Sequence, residues 1–196
     1  MATIPAGFGT SLEIVVNIDG QSNNASALTS PYQFSYSAPL VISANQVPTG
    51  GGRLVVTGKD LGPMNVPGAV TSVQVRLWSS TSNPAKILIC LDPVVTVANS
   101  EVQCDLPAGS GAGLDVKVVT GGQESTWETV LAYLPPVIES VLPVRARAGE
   151  RVTVNGRNFG NDKQFMQFSF GGVPLAKATY DITTNHTVIE FTVPPG

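Results

Sequence analysis

The stretch LEIVVNIDG, residues 12–20, sets Leu12, Ile14, Val16 and Ile18 against Glu13 and Asn17. A hundred residues later GLDVKVVTGG, residues 113–122, sets Leu114, Val116 and Val118 against Asp115 and Lys117. Alternation of this kind is the pattern of a strand with one buried face, because successive side chains of an extended chain point to opposite sides. The same period recurs at Leu54 and Val56, at Val73, Val75 and Leu77, and at Val152 and Val154. Two more stretches follow it: Met166, Phe168 and Phe170, then Ile189, Phe191 and Val193. No window carries a helical period with caps. With 20 Gly and 15 Pro among 196 residues, these short strands between turns predict an all-β fold of sandwiches.

The strands return in order, which marks an internal repeat. FSYSAPLVISANQVPTGGGRLVVTGKDLG (34–62) lines up with LAYLPPVIESVLPVRARAGERVTVNGRNFG (131–160). Tyr36 falls on Tyr133, Pro39 on Pro136, Pro48 on Pro143, Arg53 on Arg151, and Gly58 and Gly62 on Gly156 and Gly160. EIVVNIDGQS (13–22) lines up with DVKVVTGGQES (115–125), and VQCDLPAG (102–109) with IEFTVPPG (189–196). The proline of the closing phrase stands at 5, 107 and 194, and so recurs at intervals of 102 and 87 residues. Those intervals are the size of one immunoglobulin-like sandwich. Proline after Tyr-x-x stiffens a short linker, and the glycines of Gly-x-x-Leu/Phe-Gly permit positive φ.

In this order, Y-x-P-P-x-I, G-x-x-V-T-V-x-G-x-N-F-G and I-x-F-x-V-P-P-G resemble the IPT/TIG family of immunoglobulin-like domains, over nearly the whole chain. The resemblance implies tandem immunoglobulin-like β-sandwiches. In that family such arrays occur in cell-surface receptors and adhesion proteins, as accessory domains of polysaccharide-active enzymes, and as dimerisation domains of some transcription factors. It implies a binding or structural role and no particular chemistry.

Mapped on the family order, the chain is out of phase with its domains. Residues 39–134 make one complete domain. Residues 135–196 supply only the front of another, strands A to E. Residues 1–38 supply only the back of one, the F–G hairpin. A sandwich without two strands exposes core and an unpaired edge, and a lone hairpin is marginal in water. The sequence therefore predicts that each end is completed by something else. Either the chain is a segment of a longer array, or the hairpin of one molecule completes the next, head to tail. A third arrangement, the hairpin folding back on its own C-terminal half, is geometrically hard. The assembly hairpin would present Leu12, Ile14, Val16, Ile18, Phe34 and Tyr36. The acceptor core would be Met166, Phe168, Phe170, Ile189, Phe191 and Val193, along the edge 164–193.

Net charge is −3 and only 13% of residues are charged. The eleven Lys and Arg form no basic stripe, which argues against nucleic acid as a partner. No apolar run is long enough for a membrane helix, and the first ten residues lack the pattern of a secretory signal. Cys90 and Cys104, the only cysteines, suggest a disulfide within one domain and an oxidising, extracellular or cell-surface location, with two buried thiols as the alternative. A metal site from two cysteines without a nearby histidine is not expected. His186 is the only histidine and reads as a turn residue rather than part of a nucleophile system. Asp60, Asp105 and Asp115 show no spacing from which a paired-carboxylate site can be read. No catalytic motif, calcium loop or cofactor signature is present, so no enzyme activity and no cofactor are expected.

Asn24-Ala-Ser26 and Asn185-His-Thr187 are N-glycosylation sequons in turn-like stretches. Trp78 and Trp127 read as packing residues at an edge or between domains, with sugar or partner binding as the alternative. The sequence thus predicts a non-enzymatic extracellular structural protein, a bead-on-string array or filament carrying glycans, whose partners are copies of itself or adjacent repeats. The alternatives are an adhesion or receptor ectodomain and an accessory module of a polysaccharide-active enzyme.

Overall fold

The structure, a computed structural model, describes residues 4, 7–23, 33–66, 69–77 and 86–195. Strands and turns make up nearly all of it. Near the N-terminus lie β1 (Leu12–Glu13), β2 (Asn17–Ile18), β3 (Gln21–Ser22) and β4 (Gln33–Phe34). The middle of the chain holds β5 (Leu40–Ala44), β6 (Gly52–Lys59), β7 (Val70–Leu77), β8 (Lys86–Ile89), β9 (Leu91–Val97) and β10 (Glu101–Leu106). It continues through β11 (Leu114–Thr120), β12 (Gln123–Glu124) and β13 (Glu128–Leu131). Then come β14 (Val137–Leu142), β15 (Arg151–Arg157), β16 (Ser169–Phe170), β17 (Val173–Pro174), β18 (Tyr180–Thr184) and β19 (Val188–Thr192).

The middle strands form a sandwich of two antiparallel sheets. One runs β5-β6-β10-β9; the other runs β12-β11-β7-β8, with β13 also paired to β11. The core is built from inward-facing apolar residues, while others such as Ile42, Ile87 and Ile89 face solvent. Val41, Leu54, Val56, Val95 and Val102 from one sheet meet Val73, Val75, Leu114, Val116, Val118 and Leu131 from the other, all buried. Cys90, where β8 passes into β9, is joined to Cys104 of β10 by a disulfide with Cα atoms 5.7 Å apart. Because β8 and β10 belong to opposite sheets, the bond ties the two layers together.

The C-terminal strands repeat one of those sheets. Their order β14-β15-β19-β18 matches β5-β6-β10-β9 position for position. The turns match as well. The Gly58 N–H donates to the Ser100 carbonyl at 2.9 Å, and the Gly156 N–H to the Thr187 carbonyl at 2.9 Å. At both glycines a Cβ would collide with a backbone oxygen of the neighbouring strand, Leu40 or Val137, so only glycine allows the strands this approach. Leu61 and Phe159 tuck back onto their cores just after these glycines. The second core consists of Val152, Val154, Phe159, Tyr180, Ile189 and Phe191. Phe191 stands where the first sandwich has Cys104, filling the position with a ring that contacts Phe168 and Phe170 at 5.1 and 5.5 Å between centroids.

By its contacts the chain divides into two compact units. The first is Met1–Asn45, Leu54–Asp105 and Leu114–Leu131; the second is Gln46–Arg53, Leu106–Gly113 and Ala132–Gly196. The loops 46–53 and 106–113 therefore cluster with the C-terminal unit, where boundaries at 39 and 134 would have left them with the first sandwich. Within that unit the Thr49 N–H donates to Asn158 Oδ1 at 3.4 Å and the Tyr133 hydroxyl to the Pro107 carbonyl at 2.8 Å.

The disulfide closes a loop 14 residues apart in sequence. By the loop-entropy model its removal costs about 3 kcal/mol. The double variant Cys90→Ala/Cys104→Ala should therefore melt more than about 10 °C below the parent chain. Scanning calorimetry measures this directly, and an unchanged melting temperature would show that the crosslink adds nothing to the layer packing.

Candidate interaction site

Residues 7–23 and 33–36 are built like the end of the complete sandwich. In β11 and its partners, Leu114 faces Leu131, Val119 faces Glu124 and Thr120 faces Gln123. In the N-terminal segment, Leu12 faces Phe34, Asn17 faces Ser22 and Ile18 faces Gln21. Apart from the residue after the longer loop, each position differs by 102 residues. The hydrogen bonds follow the same offset. The Asn23 N–H donates to the Val16 carbonyl at 3.0 Å, as Ser125 does to Val118 at 2.9 Å. The return bonds also agree, Val16 N–H to Asn23 Oδ1 and Val118 N–H to Ser125 Oγ. At the base, the Tyr36 N–H donates to Gly9 as Tyr133 does to Gly111, at 3.0 and 2.9 Å. Gly7 and Gly109 lie against the rings of Tyr36 and Tyr133 so closely that a Cβ would overlap them. The base also touches its own unit: Gln123 Nε2 donates to the Tyr36 carbonyl at 2.9 Å, and the Phe8 ring leaves no room for a Cβ at Gly121.

Burial is where the two copies part. Leu114, Val116, Val118 and Thr120 are 3%, 0%, 0% and 2% exposed; Leu12, Ile14, Val16 and Ile18 are 39%, 48%, 52% and 71% exposed. Phe34 is half-buried, its ring edge-on to Tyr36 at 5.0 Å. The hairpin thus carries a strand face patterned for a core, and that face meets solvent.

The C-terminal unit shows the opposite feature. A cavity of about 610 Å³ opens beside its core, lined among others by Ile138, Val154, Phe165, Met166, Phe168 and Ile189. Ile189 and Phe191 are buried, Met166, Phe168 and Val193 half-buried, and Phe170 exposed. The Tyr180 hydroxyl donates to the Met166 carbonyl at 3.0 Å and fixes this stretch over the core. Among the described residues β16 pairs with β17 alone, and the Leu175 N–H extends that pairing to the Phe168 carbonyl. In the complete sandwich the corresponding strand β7 is held on both sides, by β8 and by β11. Among the described residues no strand occupies the β11 side of β16. Ile138 and Phe165 belong to this opening but carry no period-two signal, so alternation alone does not find them.

The polar candidates have structural partners. His186 occupies a left-handed turn position (φ 68°), as Asn99 does in the first sandwich (φ 60°), and the N–H groups of both donate at 2.7 Å, to Gly160 and Gly62. Its Nδ1 lies 2.9 Å from the Thr49 hydroxyl. Asp115 is buried, paired with Arg76 and accepting from the Thr129 hydroxyl. Trp127 packs against two cations, with the Arg76 guanidinium 4.7 Å and Lys117 Nζ 5.0 Å from its ring centre. Asp60 takes a left-handed turn (φ 55°), and Asp105 lies in β10. Among the described residues no cluster of three His, Cys, Asp or Glu side chains is placed to hold a metal, and no helix is long and apolar enough to cross a membrane. Hydrogen bonds from Thr96 and then Gln103 hold the Glu101 carboxyl below its ordinary value. Asn185 is exposed at the β18–β19 turn. Asn24 and Trp78 lie outside the described residues.

Burial pushes the Tyr133 hydroxyl up to about 12. A raised acid constant means that the fold favours the neutral phenol. Its contribution is complete below the ordinary tyrosine value near 10 and is lost as pH rises toward 12. Denaturation midpoints should fall across that alkaline window, and Tyr133→Phe should flatten the fall while lowering stability near neutrality by about 1 kcal/mol through loss of the bond to Pro107. Parallel pH series on the two chains would expose the error if their alkaline slopes coincide.

The model of the IPT/TIG domain family matches residues 136–196. Cyclomaltodextrin glucanotransferase of Bacillus sp. (strain 17-1) is 32% identical over 75 residues, 38% of this chain and 10% of that protein. The chain therefore spans about a tenth of the curated relative that it matches. Among solved structures, SGBP-B from a complex xyloglucan utilization locus in Bacteroides uniformis aligns at 21% identity and TM-score 0.34, over 81% of this chain and 43% of that one. The surface glycan-binding protein PbSGBP-B from Prevotella bryantii aligns at 14% and 0.42, over 83% and 38%. The fold is an all-β sandwich fold, and residues 136–196 of this chain belong to the IPT/TIG domain family.

Proposed function

We propose that this chain is a non-enzymatic, extracellular support segment, whose immunoglobulin-like units space and present other parts of a carbohydrate-handling protein. The observation that carries this reading is the character of the openings. The cavity beside the second core is lined mainly by apolar side chains, and the buried polar groups Asp115 and Ser125 are bound to neighbours. Among the described residues that line the cavity Asp162 is the one carboxylate, so the lining offers no pair of the kind that glycoside chemistry uses. The disulfide suits an oxidising compartment. The likeness to a cyclomaltodextrin glucanotransferase over 75 residues supports this reading rather than adhesion.

A support role predicts no release of reducing sugar from starch or xyloglucan. It also predicts unchanged mobility of the chain in native gels cast with either polysaccharide. Retardation would replace support with direct glycan binding, and turnover would overturn the non-enzymatic reading.

Asn185 is the sequon asparagine at a described, exposed turn, and its use as a glycan acceptor belongs to the same proposal. Secreted from a eukaryotic host, the chain should carry a mass increment at the peptide spanning 185 that Asn185→Gln removes. An unmodified peptide would show that the tight turn keeps the transferase out.

A further inference from the structure

We propose that β8, in the middle of the chain, is a self-pairing edge. A second copy of this chain lies on it antiparallel, about a two-fold axis through Ile89.

Among the described residues β8 is the last strand of its sheet, paired with β7 on one side. The Cys90 N–H donates to the Val73 carbonyl at 2.9 Å. In an antiparallel ladder the bonding direction alternates from residue to residue, so the main-chain groups of Ile87 and Ile89 point away from β7. Other edges of the same sandwich are blunted. β9 carries Pro93 and a register shift against β10, with Asp92 in a left-handed conformation (φ 48°). β5 shifts register against β6, and β12 is two residues long. β8 keeps one register with β7 from Lys86 to Ile89. A regular edge without such devices is a template for another strand.

The residues around β8 specify which strand. KILICLD, residues 86–92, has a cation at one end, a carboxylate at the other and apolar residues between. Turned antiparallel on itself about Ile89, it sets Ile89 beside the partner's Ile89 and Ile87 beside the partner's Leu91. Lys86 then falls beside the partner's Asp92, and Asp92 beside the partner's Lys86. An isologous contact demands this reciprocity. Ile87, Ile89 and Leu91 are 48%, 50% and 57% exposed, and Lys86 and Asp92 are exposed as well. Among the described residues neither of these charges enters an ion pair. Opposite charges directly across a strand pair attract and like charges repel, so the two ends fix the register that the apolar middle tolerates. Each copy uses the same edge, and the contact therefore closes at two chains.

Sedimentation velocity of the full chain, from micromolar to millimolar concentration, tests this. The expected result is a monomer–dimer equilibrium that ends at twice the mass of one chain. Ile89→Lys sets two cations on the axis and should weaken association at least about 100-fold. Ile42→Lys, at an aliphatic residue 53% exposed on the other sheet, should leave association unchanged. Lys86→Asp alone and Asp92→Lys alone each bring like charges together at both ends and should weaken it about 10-fold. An equimolar mixture of those two variants restores opposite charges at both ends and should pair at the parental affinity. These positions are exposed, so the fold is retained, and calorimetry of each variant verifies that. A parent chain that stays monomeric overturns self-pairing and leaves the edge to a strand of another protein. Masses that continue past the dimer, or a dimer that Ile89→Lys does not move, overturn the two-fold pairing in favour of another interface. A mixture no tighter than its components overturns the register about Ile89. These outcomes are independent of the polysaccharide assays, which address the support role.

Discussion

The insertion of β11 between β7 and β13 is the contact on which the sandwich depends. β11 supplies Leu114, Val116 and Val118 to the core, all buried, while its backbone pairs on both sides. A side chain of this kind is worth about 1.5–3 kcal/mol when it leaves water. Three of them therefore rival the whole stability of an ordinary domain, which is about 5–15 kcal/mol. Removing such a strand opens the core and leaves two sheet edges unsatisfied at once. The disulfide across the layers of the same unit secures a core that β11 has closed.

The two ends of the chain express this constraint in opposite senses. Residues 7–23 and 33–36 hold strands of the same pattern as β11–β13 with their apolar face in solvent, and residues 136–195 hold a core beside which a cavity opens. The contrast is local and chemical. The residues are of the same types in the same register, and only their surroundings differ. Aromatic rings partly compensate in the C-terminal unit. Phe168 leans on Tyr180 and Phe191, so the exposed side of that core is lined by large side chains that remain packed among themselves.

Much of this was legible in the sequence. Alternation located the strands, since a pleated strand with one buried face leaves little choice of period. The Gly-x-x-Leu/Phe-Gly phrase marked the tight turns, because the required backbone approach excludes a Cβ at Gly58 and Gly156. The sequence read His186 as a turn residue, and the structure gives it the left-handed turn that Asn99 takes in the first sandwich. Phe165 and Ile138 were not legible, because they line the opening from a short 3-10 turn and from an edge strand, neither of which imposes a period on the sequence. The association of loops 46–53 and 106–113 with the C-terminal unit was also hidden, since it rests on bonds such as Thr49 to Asn158, distant in sequence.

By itself the sequence determined the strand pattern, the spacing of the repeated phrases and the identity of the cysteines, because these follow from local periodicity and from counting. Only the tertiary structure decided which of two identically patterned strand faces is buried. A period of two says that one face is apolar; it cannot say whether a partner sheet is within reach, because burial is a property of what lies opposite. Leu114 and Leu12 are the same residue in the same pattern, and the sheet β5-β6-β10-β9 packed over the first accounts for the difference between a core residue and an exposed one.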